Sequence, residues 1–312
     1  MTESFSYDAV DYPSHVYPQM HPSRLAAIAR LHGVAAASPR ACRLLEVGCG
    51  DGLQLLALAL AYPQSRFVGV DLSANAIARG EAMRARLGLG NLQLVAADLL
   101  EWDAGGGHFD YVIAHGFWSW VPQAVRMRLL ALCEQALGPS GIACISYNAL
   151  PGGHLRRMLW ETLKFHSDGV QDPAQRVARA LECLDLLEMG MPGDSRYCTA
   201  LAGEIAELRD RLEPSVLFHD DLAAINQPYS LDEFMRAAGA HGLTFLAEAS
   251  YHEMSLRNAG ERVRPMLEQL ARDDPVTKEQ YLDFFTGRRF RQTLLCRREA
   301  NPVALADAAA IG

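Results

Sequence analysis

What this sequence lacks narrows the possibilities first. No apolar run approaches the ~20 residues that a membrane-spanning helix needs, so no membrane partner is expected. The opening residues Met1-Thr2-Glu3-Ser4 have neither the basic nor the apolar stretch of a secretory signal, which makes a cytoplasmic location the expectation. Seven cysteines lie scattered, without Cys-x-x-Cys spacing and odd in number. That argues against a disulfide framework or a structural zinc site, and no metal is expected. Basic residues are in the minority, 29 against 37 acidic, for a net charge of −8. The chain therefore has no overall electrostatic footprint for nucleic acid. No internal repeat and no block of like charge stands out. The tail from Asn301 to Gly312 is alanine-rich with no evident core face, and 299–312 is expected to be flexible.

What is present is apolar material for a large core, half of 312 residues, and one glycine-rich motif. Leu44-Leu45-Glu46-Val47 reads as a buried strand, and Gly48, Gly50 and Gly52 let the backbone turn tightly and approach a ligand before a helix begins at Leu53. A nucleoside site is implied. The dinucleotide fingerprint needs Gly-x-Gly-x-x-Gly, but Leu53 stands three after Gly50, and an acid, Glu46, stands two before the first glycine. A pyrophosphate wants helix N-terminal N–H groups; a carboxylate better suits the ammonium and sulfonium of S-adenosylmethionine. Taken alone, the motif could also be a purely structural turn.

Two further strands extend the pattern. Arg66 to Asp71 ends in an acid 25 residues after Glu46, about where a doubly wound sheet places the carboxylate that holds ribose hydroxyls. Leu92 to Ala97 ends at Asp98, which could accept from the adenine amino group while Leu99 packs on the ring. Either aspartate alone could be a helix cap or a loop acid. Three acids closing three strands at one sheet edge read as one site. The cofactor-binding candidates are thus Glu46, Gly48, Cys49, Gly50, Asp51, Gly52, Asp71, Leu72, Asp98 and Leu99, with His115 and Gly116.

With these residues the chain resembles the class I S-adenosylmethionine-dependent methyltransferases. Tyr7-Asp8, Tyr12-Pro13-Ser14, Tyr17-Pro18-Gln19, His21-Pro22 and Arg24-Leu25-Ala26 are similar to the amino terminus of bacterial members that carry a methyltransferase regulatory domain. That group includes protein lysine methyltransferases. Further matches are Phe109 to Gly116, Ser119-Trp120-Val121-Pro122, Ser146-Tyr147-Asn148 with Pro151-Gly152 and His154, Phe218 to Leu222, and Arg288 to Cys296. The resemblance covers nearly the whole chain. It implies S-adenosylmethionine as cofactor, S-adenosylhomocysteine as product, and a protein or peptide substrate with a lysine amine favoured. N- or O-methylation of a natural-product peptide or small metabolite is the alternative; a non-catalytic cofactor-binding regulator is a further one. Longer relatives continue into another carboxyl-terminal domain.

The order of elements predicts an α/β fold: a βα series over residues 43–147 requires a parallel sheet with helices on both faces. The family implies a Rossmann-like, seven-stranded sheet closed by a last helix and an antiparallel pair, for which Leu231–His241, Leu243–Ala249 and Phe290–Cys296 are the candidates. The resulting layout is an arm and helix over the cofactor (1–40), the cofactor-binding core (41–150), a helical insertion serving as substrate lid (151–228), and the closing elements (229–298). Residues 252–287 form a second insertion. On the acceptor side the candidates are His115, Trp120, Tyr147 and Asn148, with Tyr7, Tyr12, Tyr17, Phe117 and Trp118. For each aromatic the competing reading is core or rim packing, for His115 a buried hydrogen-bonded ring, and for Asn148 a turn cap. Arg288, Arg289 and Arg291 read mainly as strand-edge solvation, with contact to an acidic substrate as the other reading.

Overall fold

A strand followed by a helical crossover returns parallel to itself, so alternating short apolar runs and helices build a parallel sheet. In the computed structural model, which describes residues 10–193 and 195–306, the strands are β1 (Arg43–Val47), β2 (Arg66–Asp71), β3 (Leu92–Ala96), β4 (Phe109–Ala114), β5 (Leu137–Asn148), β6 (Leu243–Glu248) and β7 (Phe290–Arg297). They form one seven-stranded sheet in the order β3-β2-β1-β4-β5-β7-β6. β1 to β5 run parallel, and β7 is antiparallel to both its neighbours.

Period-two alternation splits the apolar residues between two layers. Leu44, Phe67, Tyr111 and Cys144 face a core shared with helices α1 (Pro22–Leu31) and α2 (Leu53–Ala61), while Leu45, Val112 and Ala143 face one shared with α4 (Gln123–Ala136) and α8 (Leu231–Ala240). Between them in the chain lies α3 (Ala74–Arg86). Helix starts follow local chemistry. Pro22 opens α1 behind His21, whose ring Nδ1 accepts from the Ser23 N–H at 3.2 Å, and Ser230 with Glu233 forms a capping box on α8.

From the end of β5 the chain runs through α5 (Gly153–His166), α6 (Pro173–Gly190) and α7 (Arg196–Asp210), and then a turn of π-helix, Leu217–Asp221. These helices bury a separate core of Leu159, Leu163, Leu184, Leu201 and Ile205. Between β6 and β7 stand α9 (Arg264–Asp273) and α10 (Pro275–Thr286).

Two expectations are corrected here. The arginine run at the start of β7 is not solvated: Arg291 is fully buried and Arg288 nearly so. Arg291 Nε and Nη2 each donate to Asp283 at 2.8 Å, its Nη1 pairs with Glu248, and Arg288 Nε reaches Asp283 at 2.8 Å. Only Arg289 is partly exposed, and it pairs with Glu204 and Glu207. The start of the tail is also held, because Val303 exchanges two hydrogen bonds with His32, C=O to Nδ1 at 2.8 Å and N–H to C=O at 2.9 Å. Residues 307–312 lie outside the described ones.

Removing one member of a buried ion cluster leaves the others desolvated without a countercharge. Arg291→Leu is therefore expected to destabilise the fold by roughly 3–5 kcal/mol, read as a lower midpoint in urea unfolding. An unchanged midpoint would contradict this role.

Candidate active site

In this strand order β1 has β2 on one side and β4 on the other, the switch point at which a doubly wound sheet opens a crevice beyond its carboxyl ends. A cavity of about 660 Å³ lies there, within the ~300–1,000 Å³ usual for ligand sites. Its near wall is the end of β1 and the loop after it, carrying Glu46, Gly48, Cys49, Gly50 and Asp51; beside it come Asp71 at the end of β2 with Leu72, and Asp98 and Leu99 after β3. His115 and Gly116 follow β4, and Asn148 ends β5. Apart from Gly52, the cofactor-binding candidates thus border one space. Gly52 does not line it: a Cβ at this helix-capping glycine, φ +73°, would strike the Leu94 side chain at 2.8 Å, so its role is packing.

Gly50 differs. Its φ is +57°, and a Cβ there would meet nothing within 4 Å. The backbone of this loop is thus bare toward the cavity. Asp71 holds it in place, accepting from the Gly50 N–H with Oδ2 and from the Ser73 N–H with Oδ1, both at 2.8 Å. Asp98 accepts from the Leu100 N–H at 2.9 Å.

Glu46 is buried. Its Oε1 accepts from Gln54 at 3.4 Å, and its Oε2 has no hydrogen-bond partner among the described residues. Burial, then the nearby Asp71 and Asp51, pushes its carboxyl up to about 8. A carboxylate so placed lacks a cation. The orphaned oxygen, the bare Gly50 backbone and the acids after β2 and β3 fit a ligand bearing an ammonium and a ribose, as S-adenosylmethionine does.

Beyond the glycine loop the cavity continues. The His115 ring lies 3.8 Å from the Tyr17 ring and 5.9 Å from that of Phe290, centroid to centroid. Its Nδ1 has no partner among the described residues, and burial lowers its pKa to about 4, so it is neutral at physiological pH. Trp120 borders the same space, and Asn148 donates through Nδ2 to Asn226 at 2.8 Å. The segment after β5 supplies Arg156 and Trp160 of α5 and Asp220 and Asp221 of the π-turn.

Two sequence candidates are displaced. Tyr147 is buried on the opposite side of β5 from the cavity, stacked on Phe234 at 4.5 Å with its hydroxyl 3.1 Å from Thr293. Successive strand residues face opposite ways, so with Asn148 bordering the cavity Tyr147 cannot. Trp118 is likewise buried, edge-on to Phe234 at 5.0 Å, because the 3₁₀ turn Trp118–Trp120 directs one indole into the core and the other outward. Tyr7 lies outside the described residues. Phe117 borders the cavity and would meet a Cβ at Gly48 at 2.7 Å.

The arm crosses this space. Ser14 donates to Asp51 at 2.6 Å, the Tyr17 N–H donates to Gln54 at 3.0 Å, Asp11 pairs with Arg79 at 3.0 Å, and the Tyr12 ring sits edge-on to His219 at 5.5 Å. Sequence reasoning assigned no role to Arg156, Trp160, Asp220 or Asp221; the matched stretch Phe218 to Leu222 was the available signal, without a place in space.

Residues 44–141 match the methyltransferase domain family, and residues 213–297 match the predicted methyltransferase regulatory domain. PKMT2 from Rickettsia typhi has a TM-score of 0.86 with this fold at 30% identity, over 96% of this chain and 57% of that one. Its complex with AdoHcy gives 0.85. The chain belongs to the class I S-adenosylmethionine-dependent methyltransferases. Its cofactor is accordingly S-adenosylmethionine. Among curated relatives, the uncharacterised protein RP789 of Rickettsia prowazekii is 36% identical over 295 residues, covering 94% of this methyltransferase but 53% of the relative. The uncharacterised protein RP028 of the same organism is 31% identical over 237 residues, 76% of this chain and 95% of the relative. The chain thus spans little more than half the length of PKMT2 and RP789. Among the described residues no helix is long and apolar enough to cross a membrane.

Two outcomes are expected. Gly50→Val strains a left-handed residue and fills the bare side of the loop, so it is expected to abolish binding of S-adenosylhomocysteine in calorimetry while leaving the circular dichroism spectrum unchanged; retained affinity would remove Gly50 from the site. For Glu46, a native pKa of about 8 against an ordinary 4.5 means that the native state holds the proton more tightly than the unfolded chain. That contribution is full below pH 4.5 and is lost as pH rises to 8. Ligand-free stability is expected to fall across this window, less steeply in Glu46→Gln, which should also bind S-adenosylhomocysteine more weakly. Identical slopes in urea unfolding would contradict it.

Proposed function

We propose that this methyltransferase acts on a protein or peptide side chain, with a lysine amine as the favoured acceptor. The observation that carries this reading is the far end of the cavity. There Tyr17, Trp160 and Phe290 line a chamber that also holds Asp220, a carboxylate with no ion-pair partner within 4 Å among the described residues. Aromatic faces and an acid with no contacting cation attract an ammonium. The likeness to PKMT2 supports a protein acceptor.

Bound S-adenosylmethionine supplies a methyl group on a positive sulfur. In our assignment Glu46 takes its methionine ammonium, Asp71 its ribose hydroxyls and Asp98 its adenine amino group. Cys49, Asp51, Leu72, Leu99 and Gly116 complete the walls, and Gly48 and Gly50 bring the backbone close. His115, Tyr17 and Phe290 orient the acceptor and exclude water, and alignment alone can supply up to ~7–11 kcal/mol for well-placed reactants. A lysine of pKa about 10.4 must first lose its proton, at a cost of roughly 4 kcal/mol at neutral pH. Desolvation in the aromatic chamber lowers that cost, as does a nearby positive charge. The neutral His115 adds no opposing charge. Asn148 and the helices from α5 to the π-turn then form the acceptor wall, the role in which we place the insertion.

Incubation with tritiated S-adenosylmethionine and fractionated bacterial lysate tests the reading. Label in protein, located on lysine by mass spectrometry, is expected; label on an asparagine amide, a carboxylate or a free metabolite would overturn it.

A further inference from the structure

The acceptor chamber is closed by an unusual piece of backbone. Leu217–Asp221 is a turn of π-helix, a rare conformation often found at functional sites. It brings Asp220 and Asp221 together on the cavity wall. The two carboxylates are differently placed. Asp221 is buried and fixed by its ion pair with Arg156, leaving its Oδ2 without a partner among the described residues. Asp220 is half-buried, and among the described residues its carboxylate is touched by the Tyr12 hydroxyl.

The cations nearby are mostly committed elsewhere. Arg156 serves Asp221, Arg157 pairs with Glu161 at 2.7 Å, and Arg289 pairs with Glu204 and Glu207. Arg211 is exposed and acts on Asp220 only at longer range. The backbone beneath Asp220 is nonetheless tied down: its C=O accepts from Asn226 Nδ2 at 3.0 Å, and Asn226 Oδ1 accepts from Asn148 Nδ2 at 2.8 Å. This chain of amides fixes the π-turn to the end of β5, where the reaction must occur.

We propose that Asp220 is the carboxylate that receives the acceptor's ammonium and takes its proton, an inference that rests on the lysine reading of the same site. An N–H bond of the ammonium breaks as an O–H bond forms on Asp220. The lone pair so freed forms a bond to the methyl carbon while the carbon–sulfur bond breaks, its electrons remaining on sulfur. The products are a methylated ammonium and a neutral thioether, and Asp220 releases its proton to water. Tyr12 positions the carboxylate.

The groups facing Asp220 are Arg156 from α5, Arg211 after α7, Arg289 at β7, Tyr12 and Tyr17 from the arm, and His219 and Asp221 of its own turn. Burial first, and then Asp221, raises its pKa to about 6 against the pull of Arg211 and Arg156. It is therefore ionised at neutral pH, as a base must be.

The test compares wild type, Asp220→Asn and Asp220→Glu. Initial rates of tritium transfer into heat-treated bacterial lysate protein are followed from pH 5 to 9, with S-adenosylhomocysteine affinity measured by calorimetry. Wild type is expected to label lysine with an ionisation near pH 6. Asp220→Asn is expected to lose about 10²-fold or more in rate, as for a general base, to lose that ionisation, and to keep its affinity for S-adenosylhomocysteine. Asp220→Glu should recover part of the rate. Lysine labelling by Asp220→Asn at the wild-type rate and pH profile would overturn this inference alone. Absence of lysine label with wild type would overturn the lysine reading beneath it. An Asp220→Asn protein that loses S-adenosylhomocysteine affinity together with rate would show Asp220 to be a structural group.

Discussion

The arrangement depends on one strand running the wrong way. β7 is antiparallel to β5, so its first residue is level with the last residue of β5, and Phe290 pairs with Asn148. A parallel strand in that place would bring its last residues to the cavity instead. The reversal delivers Phe290 and Arg289 to the carboxyl edge, opposite the loops of β1 and β2. It requires an anchor, because β7 lies between β5 and the edge strand β6 and carries Arg291 into the buried interior. Glu248 on β6 and Asp283 on α10 meet that charge. Glu248 also accepts from the Gln292 N–H at 3.0 Å and from Thr293 at 2.8 Å, and Thr293 in turn contacts Tyr147. The ion cluster lies within the segment matched by the regulatory-domain family, and the Tyr147–Thr293 contact ties it to the parallel strands.

Much of the site was legible because it obeys local rules. The glycines after β1 and the acids closing β2 and β3 occupy fixed offsets from apolar strands, and a parallel sheet gathers such ends at one edge. The closing strands were legible by the same period-two pattern. What failed was orientation. Tyr147 and Asn148 are adjacent, and nothing in the pair says which side of β5 meets the cavity; that follows from the core formed with Phe234, some ninety residues away. Trp118 and Trp120 stand two residues apart in a turn of three-residue period, so they point different ways. The arginines at the start of β7 read as solvated because their carboxylates, at 204, 207, 248 and 283, lie on other elements. The π-turn has no sequence pattern at all, so Asp220 and Asp221 could be quoted as matched residues but not placed.

The electrostatics of the cavity are consistent from end to end. Glu46, Asp51 and Asp71 stand around the glycine loop, and Asp220 and Asp221 around the chamber. Burial raises Glu46 at one end and Asp220 at the other, in each case as the largest cause. Desolvating acids side by side is unfavourable unless positive charge arrives, and the family's cofactor brings two such charges, on nitrogen and on sulfur. Arginines border the chamber too, but Arg156 and Arg289 are held by Asp221, Glu204 and Glu207. Their charge is largely spent within the wall.

The arm turns these two regions into one enclosure. It is fastened to the cofactor end by Ser14 on Asp51 and Tyr17 on Gln54, and to the π-turn by His219, whose Nε2 lies 2.8 Å from the Val10 carbonyl. Asp11 on Arg79 adds only an exposed pair, worth little by itself. Since Gln54 and Asp51 belong to the loop and helix that follow β1, the arm's seat is built from residues next to the glycine loop, and the Tyr12 and Tyr17 wall of the cavity stands on that seat.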